Sequence, residues 1–142
     1  MNLVFFIILN VIIWAYTLIC LSQNKKIETV VRAGNAYVVF GLYVVAGLLA
    51  FFKFRDLLSV INAISLLIAG IVFTRVKSGF GKQGIVVLGT FFPYSRMTTL
   101  DYDKYNQDIV KFEVNRRTHF VFPDDSNRKQ VFKYIDLYRR NK

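Results

Sequence analysis

At 142 residues, with a formal net charge of +10 and 54% hydrophobic residues, the chain has room for one soluble domain, or for a few membrane spans and a small domain. A mean hydropathy of +0.38 excludes an ordinary soluble globule, because so short a chain has too little interior to hide that much apolar surface. The single cysteine, Cys20, excludes an internal disulfide and argues against an exported, disulfide-stapled fold.

Leu3 to Leu21 is apolar apart from Asn10 and Thr17. At about 1.5 Å per residue such a helix just crosses a hydrocarbon core of about 30 Å. Cys20 near its end reads as a small hydrophobe. A lipoprotein reading fails because Ile19 stands where processing needs a small residue, and no Lys or Arg opens the chain. Ser22 to Arg32 is polar and reads as a short loop or a helical extension. Residues 34–52 form a second expected span, with Ala46 and Ala50 at a spacing that lets another helix approach. Lys53 to Asp56 is a tight charged connection. Residues 57–73 make a third, shorter span with Asn62 and Ser65 as polar positions. None of the three carries an ionisable side chain in its middle, which lowers the expectation of an ion pathway or proton relay. Asn10 and Asn62 read as interhelical hydrogen-bonding groups.

Orientation follows from the basic residues flanking the spans. Lys25, Lys26, Arg32, Arg75, Lys77 and Lys82 fall on one side, against Lys53 and Arg55 on the other. The positive-inside rule then places the N-terminus outside and the C-terminal part in the cytoplasm. This makes residues 1–77 a transmembrane anchor in the plasma membrane and residues 82–142 a cytoplasmic domain.

From Arg75 onward there are 14 basic and 7 acidic residues. Gly79-x-Gly81-x-x-Gly84 has dinucleotide-binding spacing, but that motif needs a strand before it and a helix N-terminus after it. Here an apolar helix precedes and a β-type run follows, so the glycines read as hinge and turn. Ile85 to Leu88 and Phe91 to Met97 read as strands, the second ending or edging at Pro93. Thr98 to Tyr102 continues it or begins a third strand, and Asp103 to Asp108 is turn-like. Ile109 to Val114 and Thr118 to Phe122 read as a hairpin. A three-residue loop would pair Phe112 with Phe120 and Val110 with Phe122, gathering the apolar residues on one face and leaving Glu113 opposite His119 outside. Asp124 to Ser126 is an expected helix start, followed by an apolar stripe of Val131, Ile135 and Tyr138 flanked by Phe132 and Leu137.

The run Gly84-Ile85, Gly89, Phe92 and the step Tyr94-Ser95-Arg96-Met97, with the Val110 to Phe122 hairpin and a closing helix, resembles the small bacterial PH-like (pleckstrin-homology-like) domains that follow transmembrane helices. The resemblance spans roughly Lys82 to Arg140. It implies that the three expected transmembrane helices of the membrane α-helical part are followed by a small α+β domain with an antiparallel PH-like sheet and one C-terminal helix. It implies no activity, and a Trp common in that family is replaced here by Tyr94. Five or so strands leave an open edge, which a second copy, a protein partner or the membrane face itself is expected to cover.

The leading expectation is a non-enzymatic interaction or scaffold module that presents a basic domain to a protein partner or to anionic membrane lipids. Lys77, Lys82 and Arg96 are the candidate contacts, each basic side chain contributing about 1 kcal/mol near an anionic surface. A small channel, holin-like or transporter subunit is the alternative. No catalytic, metal-binding or cofactor-binding set is expected, because no nucleophile–base pair or ligand spacing can be assembled. His119 is the sole histidine. Charge alone suggests nucleic acid, which a membrane tether argues against, so none is expected.

Overall fold

The computed structural model describes residues 2–106 and 108–142. Chain contacts divide it into two units. One comprises the chain through Ser22 with Asn35–Val76, and the other Gln23–Gly34 with Lys77–Lys142.

The first unit is helical: α1 (Leu3–Ser22), α2 (Ala36–Phe54) and α3 (Leu57–Phe73). Helices α1 and α2 are long and apolar enough to cross a membrane, whereas α3 is apolar but has only 17 residues. Their ends are locally encoded. The Asn35 side chain accepts from the Tyr37 N–H to start α2, and α2 stops at Arg55 in the left-handed region with φ 49°. A reciprocal capping box between Asp56 and Ser59 opens α3 one residue later. Helix α3 packs against both α1 and α2. The close approach to α2 runs through Gly47, where a Cβ would crowd the Ala63 backbone at 3.3 Å. Ala46, expected at that contact, instead faces outward.

Polar groups gather inside this unit. Asn10 Nδ2 donates to Asn62 Oδ1 at 2.9 Å, Ser65 Oγ donates to Asn10 Oδ1 at 2.6 Å, and Trp14 Nε1 donates to Ser65 Oγ at 2.9 Å. Outward positions on α3 are Leu57, Ile61, Ile64, Ile68 and Ile71. Helix α3 thus buries its polar Ser59 and Asn62 together with Leu66, Ala69 and Phe73, and turns most of its aliphatic side chains outward.

The second unit contains seven strands among the described residues: β1 (Thr29–Val31), β2 (Ser78–Phe80), β3 (Gly84–Val87), β4 (Thr90–Pro93), β5 (Met97–Tyr102), β6 (Val110–Val114) and β7 (Arg117–Val121). Helix α4 (Arg128–Arg140) follows them. One antiparallel sheet has the order β1-β2-β3-β4 and the other β5-β6-β7. An antiparallel bridge joins Arg32 to Phe122, each N–H donating to the other's carbonyl. The segment between α1 and α2, read from sequence as a loop, therefore supplies the edge strand of the first sheet. Both sheets and α4 close over one core that includes Val31, Phe80, Ile85, Phe112, Val121, Val131 and Ile135.

Gly79, Gly81 and Gly84 have a role other than hinge. Added Cβ atoms would run into the carbonyl oxygens of Thr29, Lys26 and Phe92 respectively. None of the three has positive φ. The glycine spacing serves close approach of neighbouring backbones within the first sheet.

The β6–β7 register departs from the sequence expectation. The loop has two residues, Asn115 and Arg116, with φ 51° and 64°, the pattern of a type I′ turn. Val114 pairs with Arg117, Phe112 with His119, and Val110 with Val121. Phe120 and Phe122 consequently point outward at 48% and 41% exposure. Turn geometry matched to strand twist has won over collecting every apolar residue on one face, and Val121 fills the core instead. The second strand expected from Phe91 to Met97 ends at Pro93, and a 3-10 turn (Tyr94–Arg96) separates it from β5. Gln107, inside the expected turn Asp103 to Asp108, lies outside the described residues.

Candidate functional site: a tyrosine-floored groove beside α4

The second unit carries a groove of about 1000 Å³ along α4, reaching from Glu28 and Thr29 to Asn141 and Lys142. Its other lining residues are Lys82, the Tyr94–Ser95 turn and Met97, together with Gln130, Lys133, Tyr134, Leu137 and Tyr138 of α4. The volume is in the range of ligand sites.

Helix α4 builds most of it through two neighbouring stripes at four-residue spacing. Tyr134 and Tyr138 form one and Lys133 and Leu137 the other, with Asn141 and Lys142 following just beyond the helix end. Val131 and Ile135, adjoining the tyrosines on the helix, are buried in the core against which Tyr134 and Tyr138 also pack, each contributing about 1.5–3 kcal/mol by burial. Tyr134 also stacks on Phe80, with ring centroids 5.7 Å apart.

The three tyrosine hydroxyls are committed to the scaffold. Tyr94 donates to the Gly81 carbonyl at 2.8 Å, Tyr134 to Glu28 Oε2 at 2.7 Å, and Tyr138 to the Met97 carbonyl at 3.0 Å. Burial pushes the Tyr94 phenol well above its ordinary value, with Tyr134 and Glu28 adding to the effect. Tyr134 is raised by burial and then by its bond to Glu28. Both stay neutral donors at physiological pH. Lys142 Nζ donates to the Thr98 carbonyl on the β5 edge and sits 5.3 Å above the Tyr138 ring. Lys82 Nζ lies 3.7 Å from Glu28 Oε1 and is largely exposed.

Of the residues expected from sequence, Lys82 lines this groove. Lys77 and Arg96 do not: both are exposed, and the Lys77 backbone N–H donates to Asn24 Oδ1 at 2.9 Å. The sequence reading missed Glu28, Lys133, Tyr134 and Lys142. Lys133 and Tyr134 were legible as the second and third helical stripes, but only the apolar stripe had been followed. His119 is corrected as well. It is half-buried rather than beside Glu113, with ring centroids 4.7 Å from Phe92 and 5.2 Å from Phe112. Glu113 pairs instead with Thr118. Among the described residues no three His, Cys, Asp or Glu side chains are placed to share a metal ion.

A smaller recess of about 340 Å³ lies by Phe122 and Pro123. It is rimmed by the ion pairs Arg32–Asp124 at 3.3 Å and Arg128–Asp125 at 2.9 Å, with Asp108 also on Arg128. These charges are largely solvent-exposed and paired, worth little to stability.

Comparison of the chain with protein-family models, curated proteins and solved structures finds no match.

Proposed function

We propose that the chain is a membrane-anchored, non-enzymatic interaction module. Three helices cross the plasma membrane with the N-terminus outside, and a basic PH-like domain meets a protein partner or an anionic membrane surface in the cytoplasm. The observation that carries the binding role is the groove itself: its tyrosine hydroxyls are all engaged in scaffold bonds, while its rim presents lysines to solvent. A site so arranged is equipped to hold an anion rather than to move a proton.

The pairing of β1 with β2 supports the three crossings. Strand β1 precedes α2 and β2 follows α3. The two strands must lie on one side of the bilayer, so α2 and α3 cross it together or not at all. Helix α2 is long enough to cross. At about 25 Å α3 is short for a core of about 30 Å, which local thinning accommodates at modest cost. Two antiparallel sheets and a C-terminal helix support the PH-like reading. Against the channel alternative, the polar cluster of Asn10, Asn62 and Ser65 is bonded helix to helix, and Asn62 is fully buried, as in packing contacts.

The full chain in zwitterionic nanodiscs tests the role. It is expected to bind anionic vesicles or an acidic polypeptide, with binding weakening as salt rises from about 0.05 to 0.2 M. Reversing the charge of Lys82, Lys133 and Lys142 should weaken it at least about tenfold. Absence of any salt-dependent binding would contradict the proposal.

A further inference from the structure

We propose that the groove beside α4 takes an extended acidic peptide of a partner protein, with an apolar side chain on Tyr134 and Tyr138 between acidic residues held by Lys82 and Lys133 at one end and by Lys142 at the other. This rests on the interaction-module reading and names the occupant.

Shape is the first argument. The basic residues line a concave site, which a chain segment enters and the plane of a bilayer does not. Charge is the second. Among the described residues Glu28 is the only acidic side chain in the lining, and both its oxygens are engaged, one by the Tyr134 hydroxyl and the other beside Lys82. Three lysines therefore leave the groove cationic.

Spacing decides between ligands. The Glu28–Lys82 pair marks the Tyr134 end, and Lys142 marks the other. Helix α4 continues six residues from Tyr134 to its last residue, Arg140, about 9 Å along the axis, and Lys142 lies two residues further along the chain. An extended chain at about 3.3 Å per residue covers that helical length in about three residues. A single phosphate does not reach both ends. The rings between them suit an apolar or aromatic side chain, because their hydroxyls are already bonded.

The test is a hexapeptide display selection against the full chain in zwitterionic nanodiscs, with empty nanodiscs subtracted. Enriched sequences are expected to place acidic residues on both sides of an apolar one. The best of them, synthesised, should bind at least about tenfold more weakly to a Lys133→Glu/Lys142→Glu variant whose thermal unfolding matches the parent. Lys129→Glu, on the same helix outside the groove, should change binding less than about twofold. A selection without acidic enrichment, or equal losses from Lys129→Glu, overturns the peptide groove. If anionic vesicles still bind in that case, the interaction-module reading stands with a different ligand. If they too fail to bind, it falls as well.

Discussion

The two units of this chain obey the same physical rule with opposite signs. In the sheet unit Phe80, Phe112, Val121 and Ile135 are buried and the charges face water. In the helical unit Leu57, Ile61 and Ile68 face outward, while Asn62, Ser59 and Thr17 are fully buried. Apolar side chains sort to the interior when the solvent is water, and polar ones must find partners when the solvent is lipid. Composition alone separated the halves, and the burial pattern of the helical unit is the one its proposed membrane location would require.

The comparison breaks most visibly in the sheet core. Phe80→Ala removes a fully buried ring that stacks on Tyr134 and touches both sheets' core. A loss of about 3–5 kcal/mol is expected, read as a lowered unfolding temperature of the full chain in detergent. Phe5→Ala, on the outward face of α1, should leave that temperature nearly unchanged.

In the helical unit the sensitive position is polar. Asn10→Ala deletes the hydrogen bonds to Asn62 and Ser65, for an expected loss of about 0.6–1.7 kcal/mol. Steric trapping or detergent-titrated unfolding would measure it. An unchanged stability would mean that the cluster does not fasten α1 to α3.

Tyrosine burial sets a pH edge for the sheet unit. Below pH 10, the ordinary tyrosine value, folded and unfolded states both hold the proton and the term is silent. Above it the unfolded chain ionises before the raised Tyr94 and Tyr134 do, so stability falls as pH rises. Unfolding monitored across that range should show the decline, and Tyr94→Phe should make it shallower. The smallest effect belongs to Phe120→Ser: the ring is half exposed on the outer face of β7, and a change within about 0.5 kcal/mol is expected.

Much of this was legible in the residues. Pro93 ended a strand, and Val131 and Ile135 faced the core as their spacing required. What was not legible was long-range. Thr29-Val30-Val31 is three residues in a polar stretch between two apolar helices, with too little periodicity to announce a strand. It becomes one only because Phe80 and Gly79 arrive from 50 residues away. The register at Asn115–Arg116 was misjudged because apolar sorting was weighted above turn chemistry. The groove depended on the first of these gaps, since Glu28 and Thr29 come from the unforeseen segment.

The central claim is that the α1–α2 connection is a strand of the same domain as the C-terminal sequence, so that both lie on one side of the membrane. Single cysteines at Lys25, Lys53 and Arg116, in a Cys20→Ser background, test it by labelling intact cells with a membrane-impermeant maleimide. The account predicts labelling at position 53 and protection at positions 25 and 116 until the cells are opened. Different accessibility at 25 and 116 would contradict it.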